Sequence, residues 1–103
     1  MKQMIPFVYV DFYDVPRTIA LRYKDRMLLL LSALDKKADE YEQNYSVYTL
    51  PQSAEEALTR GSWKFIEEPG LTHLGQIAVQ SIRFDSTRRK SLDAQILDQL
   101  IST

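Results

Sequence analysis

The sequence predicts an α+β domain: a curled, mostly antiparallel sheet of about five strands, with a C-terminal helix packed on it. Three observations predict it. Short runs rich in Val, Ile, Tyr and Phe alternate with turn residues over most of the chain. The run Met27–Leu31 is apolar at every position, so as a strand it must be covered on both faces. Near the C-terminus, Leu92, Ile96 and Leu100 recur at four-residue spacing with Leu97 and Ile101 beside them, the stripe of an amphipathic helix. A sheet buried on both sides also admits closure into a small barrel.

The first strand is read over Phe7–Tyr13, whose Val, Tyr and Phe content suits a pleated surface. Asp14 and Pro16 then break it, since proline lacks an N–H and restricts Val15 before it. From Arg17 the pattern alternates, with Ile19, Leu21 and Tyr23 on one face and Thr18, Ala20 and Arg22 on the other. If Lys24-Asp25 forms a two-residue turn, Tyr23 pairs with Arg26 and Leu21 with Leu28. The leucine run is too short between its polar breaks for a helix.

Asp35–Gln43 is polar apart from Ala38 and Tyr41 and is read as an exposed helical turn or loop. Tyr45–Leu50 forms another strand, closed by Pro51. Ser53 with Glu56 three residues on has the spacing of a capping box, which predicts a short helix ending near Gly61. Ser62–Gly70 has no clear assignment, although Pro69-Gly70 should turn the chain and Glu67-Glu68 has the look of a solvated loop. Gln76–Phe84 reads as one strand whose phase slips, which suggests a β-bulge at Gln80-Ser81. The last helix is expected from about Leu92, with Ser91 as N-cap and Asp93 in the first turn.

At 103 residues, 1–103 is expected to form a single domain. With 13 basic and 14 acidic residues the formal net charge is -1, which argues against a protein that coats DNA with uncompensated cations. The chain has no cysteine, so disulfides and thiolate metal sites are excluded. His73 is its one histidine, too few strong ligands for zinc, so neither a metal nor another cofactor is expected. The N-terminal stretch reaches Asp11 before any long apolar run and does not read as a signal peptide. No apolar run could span a bilayer, so no membrane partner is expected and the cytoplasm is the expected compartment.

Phosphate-cradling glycine loops and a nucleophile elbow are both missing from the sequence. That leaves three readings of function. The first is a non-enzymatic domain that binds another protein, in its most concrete form a bacterial inhibitor of the toxin-immunity kind. Its docking residues would be Tyr41 as anchor with Asp39, Glu40 and Glu42 around it and Tyr45 close behind, an acidic frame suited to a basic partner. The plainer reading of that stretch is a solvated loop. The second is a nucleic-acid accessory using Arg88, Arg89 and Lys90 with Arg22, Lys24, Arg26 and Arg83 as a basic patch. Against it stands a structural role, in which neighbouring acids hold those cations. The third is an enzyme using the carboxylate pair Asp11 and Asp14, which a structural Asp–Arg contact with Arg17 would explain equally.

Overall fold

The computed structural model describes residues 4–67 and 71–101. Strands β1 (Met4–Tyr13), β2 (Val15–Tyr23) and β3 (Arg26–Leu31) form an antiparallel meander. Lys24 and Asp25 both take positive φ, 51° and 63°, as a primed hairpin turn requires. The register is the one the turn predicts, with Tyr23 opposite Arg26 and Leu21 opposite Leu28. Two short strands, β4 (Leu34–Asp35) and β5 (Glu40–Tyr41), then pair with each other as a separate hairpin. β6 (Asn44–Leu50) returns against β3, and α1 (Gln52–Thr59) with a 3-10 turn at Lys64–Glu67 leads to β7 (Thr72–Ala78), which pairs with β6. β8 (Arg83–Phe84) and β9 (Ser91–Asp93) complete the sheet beside β1.

Among the described residues the main sheet thus has seven strands in the order β7-β6-β3-β2-β1-β9-β8, every neighbouring pair antiparallel. β7 and β8 are its two edges, yet they follow each other in the chain through Val79–Ile82. That connection spans at most roughly 18 Å even when extended. The sheet must therefore curl into a half-barrel to bring its edges that close.

The curl produces two cores. Inside it, Ile19, Leu21, Leu28, Leu30, Tyr45, Val47 and Ile77 meet Leu92, Leu97 and Ile101 from the C-terminal segment. On the outer face, Ala20, Leu29 and Leu50 are covered by Ala54 of α1 and by Phe65 of the 3-10 turn. Leu28, Leu29 and Leu30 are all essentially inaccessible, so the leucine strand is central and covered on both faces.

Several expectations are corrected. Among the described residues the main sheet has seven strands rather than about five, because β8 and β9 are too short to leave an alternation signature. The phase slip at Gln80-Ser81 is not a bulge. It is a 3-10 turn, Val79–Ser81, where the chain leaves one edge of the sheet for the other. The C-terminal segment is not an α-helix from Leu92, and Ser91 caps nothing. Ser91–Asp93 pairs with β1 on one side and β8 on the other, and that pairing uses backbone groups a helix would need. Only Gln95–Gln99 is helical, as a 3-10 turn that opens with the Asp93 carboxylate accepting from the Gln95 N–H at 3.0 Å.

The polar stretch after β3 is a hairpin, not a helical turn. Its Asp35 carboxylate accepts from the N–H groups of Lys37 and Ala38, an Asx turn that reverses the chain. α1 starts at Gln52, directly after Pro51, and makes no side-chain cap bond, so the Ser53–Glu56 capping box is not used. Its other end is as expected. Gly61 takes φ +77, the Gly61 N–H donates to Leu58 O and the Ser62 N–H to Ala57 O, the two bonds of a Schellman motif. The expected turn at Pro69-Gly70 lies outside the described residues, as does Glu68 of the Glu67-Glu68 pair.

Candidate functional site

The features that this architecture does not need for packing gather at one end, around the β1–β2 turn. Asp11 and Asp14 flank Phe12 and Tyr13 and both adopt positive φ, 59° and 65°. Aspartate tolerates that conformation better than most residues, so the turn projects Tyr13 outward. Tyr13 is 65% exposed and Phe12 38%. The Tyr13 ring packs against Tyr41 of β5, with centroids 5.4 Å apart and planes tilted by 30°.

Arg17 fixes this pair. Its Nε donates to the Tyr13 carbonyl at 3.0 Å, and its guanidinium lies 5.0 Å from the centre of the Tyr41 ring. Its Nη1 donates to Ser32 Oγ and to the Glu42 carbonyl, and the Ser32 hydroxyl also donates to that carbonyl at 2.8 Å. The hairpin is therefore tied to the sheet through backbone and aromatic contacts. Asp39, Glu40 and Glu42 remain exposed, and among the described residues none of them is in an ion pair.

On the other side of the turn lies the loop between β8 and β9, which carries Arg88, Arg89 and Lys90. Beyond Pro6 the outer edge of β1 has no strand partner, and this loop runs along it. Arg88 Nη1 donates to the Asp14 carbonyl at 2.9 Å and lies 3.8 Å from its carboxylate, while Arg89 sits 4.9 Å from the Phe12 ring centre. The rim is bipolar, acidic on the hairpin and basic on the loop, with Tyr13 between.

Asp85 holds the basic loop in shape. Its carboxylate accepts from the Thr87 hydroxyl and from the N–H groups of Thr87, Arg89, Lys90 and Ser91, the last at 2.7 Å. Desolvation raises the Asp85 pKa, but those hydrogen bonds outweigh it and hold the carboxyl well below the usual carboxylate range. A depressed pKa stabilises the fold above the unfolded value of about 4 and is lost as pH falls through the folded value. Asp85→Asn should therefore loosen the loop at pH 7. The expected result is faster tryptic cleavage at Arg88–Lys90 and a melting deficit that narrows below about pH 4. Equal cleavage rates in both proteins would contradict this role.

The structure separates several residues that the sequence placed together. Tyr45 has no exposure, and its hydroxyl donates to the Pro16 carbonyl at 2.5 Å inside the half-barrel, so it cannot belong to a docking surface. Burial also pushes its pKa upward. The basic patch is likewise divided, because Lys24 and Arg26 sit at the opposite end of β2 from Arg88, roughly 26 Å away along the strand. Lys24 is paired there with Asp98 at 2.7 Å, and Tyr23 donates to the same carboxylate at 2.6 Å. Burial and that bond leave the Tyr23 hydroxyl pKa pushed up to about 12. Arg22 is paired with Glu55 of α1.

Asp11 and Asp14 do lie at the rim, both exposed, and Asp14 is engaged by Arg88 rather than Arg17. Among the described residues no cluster of three or more His, Cys, Asp or Glu could hold a metal, and no helix is long and apolar enough to cross a membrane. Comparison with protein-family models, curated proteins and solved structures finds no significant match to this chain. Phe12 and Tyr13 also belong to this rim, although in the sequence they read only as part of an apolar strand. Asp11 and Asp14 bracketing two aromatics at a strand end was the available signal.

Proposed function

We propose that the chain is a non-enzymatic protein-binding domain of the cytoplasm, acting as an inhibitor or immunity-type protein on a second protein. It docks through the rim formed by Tyr13, Tyr41 and the acidic hairpin. The observation that carries this reading is the exposed Tyr13 ring, held on Tyr41 by an arginine that also clamps its backbone. Tyrosine and arginine are enriched in binding hot spots, and tyrosine offers large contact area at low entropic cost. Asp39, Glu40 and Glu42 would form the rim charges that speed encounter with a basic surface.

The test is photo-crosslinking from position 13. A benzophenone side chain replacing Tyr13 should yield one dominant protein adduct, and the same group replacing Arg26 should yield none. An adduct from position 26 alone would move the interface to the other end of the sheet.

The nucleic-acid reading is weaker, because its cations are divided between two ends and several are already paired. Binding to single-stranded oligonucleotides at about 0.15 M salt is expected to be undetectable by fluorescence anisotropy. Tight binding there would overturn the protein-binding reading.

A further inference from the structure

A cleft of about 520 Å³ opens between the start of β2 and the crossing from β7 to β8. Arg17, Arg83 and Arg88 line it with a single carboxylate, Asp14, between walls that include Val79 and Phe84. Its size is in the range of small-molecule sites. Asp14 offsets one guanidinium, that of Arg88, at 3.8 Å. The other two have no carboxylate in the lining. The cleft beside α1 is balanced by contrast: Arg22 and Arg26 share its lining with Asp25 and Glu55.

Arg17 gives the cleft its character. It is half-buried, and a charge removed from water is normally paired with an opposite one. Yet among the described residues its bonds run from Nε and Nη1, and its acceptors are neutral: Tyr13 O, Ser32 Oγ and Glu42 O. Those bonds and the Tyr41 ring fix the guanidinium in position, but among the described residues no carboxylate pairs with it. Arg83 stands opposite Asp93 across β8 and β9, but no ion pair joins them, and Asp93 accepts from the Gln95 N–H instead.

We propose that this cleft binds a small organic dianion, a phosphate monoester or a dicarboxylate, whose apolar body lies against Val79 and Phe84. Planar guanidinium forks match oxyanions in bidentate geometry, and two cations without a carboxylate partner among the described residues match a dianion. A phosphodiester backbone offers one charge per group and fits less well.

The experiment titrates phenyl phosphate, phthalate and inorganic phosphate into the protein at low salt, followed by calorimetry and amide chemical shifts. Phenyl phosphate or phthalate should bind saturably, with shifts at Asp14–Arg17 and Val79–Phe84. Arg83→Gln should weaken binding about tenfold or more with unchanged shift dispersion, since Arg83 is exposed. Arg26→Gln, at the far end of β2, should leave it unaltered. Preference for phenyl phosphate identifies a phosphate ligand, and equal affinity for both identifies recognition by charge and shape alone. Non-saturable shifts with all three probes, or no effect of Arg83→Gln, would overturn the proposal.

Discussion

Leu29→Ala is expected to destabilise the protein by about 2–5 kcal/mol, read as a lower urea midpoint with little change in slope. Leu29 is 1% exposed and faces the outer core, between Ala20 and Leu50 of the sheet and Ala54 and Phe65 of its cover. Removing it leaves a cavity that a half-barrel paired on both sides of β3 cannot collapse to fill. A domain of this size has only about 5–15 kcal/mol in total, so the loss is a large share of its stability. Val8→Ala is the control, because Val8 is 50% exposed and should change stability by less than about 0.5 kcal/mol. If the two variants were equally stable, α1 and the Lys64–Glu67 turn would not cover that face.

Tyr13→Ala should cost about 2 kcal/mol or more of partner affinity, roughly thirtyfold, while leaving the melting curve almost unchanged. The separation follows from geometry. Arg17 bonds to the Tyr13 carbonyl, which the substitution keeps, and the Tyr13 ring itself is largely exposed. Tyr41→Ala should weaken binding and also loosen the hairpin, since the Tyr41 ring is what both Tyr13 and Arg17 pack on. Glu40→Lys should act chiefly on association rate and its salt dependence. Calorimetry and stopped-flow measurements with the crosslinked partner distinguish these effects.

The meander was legible because the short polar break Lys24-Asp25-Arg26 separates an alternating run from a leucine run too short for a helix. The far side of the molecule was not. A phase slip of period two looks the same whether the strand bulges or ends, and only tertiary closure decides that the chain crosses to the other edge at Val79–Ser81. Of the stripe Leu92, Ile96 and Leu100 only Leu92 is fully buried, and Leu97 and Ile101 beside it go deeper into the core than Ile96 and Leu100. The spacing could not reveal that β1 and β8 would claim the backbone of Ser91–Asp93 for pairing. At the site, Tyr41 and its acids stood out as polar sequence, whereas Tyr13 was hidden inside an apolar strand pattern. Its exposure arises at the β1–β2 turn, where Asp11 and Asp14 on either side of the two aromatics take positive φ. Tyr45 could have been excluded from parity alone, since it alternates with Val47 on the buried face of β6.

The most direct test of the docking surface is amide hydrogen exchange of the protein with and without the partner caught by the position-13 crosslink, using the unmodified chain. Slowed exchange should appear in Phe12–Arg17 and Leu34–Glu42, the two segments that Arg17 ties together. Protection confined to Arg22–Met27 and α1, with none at Phe12–Arg17, would contradict it.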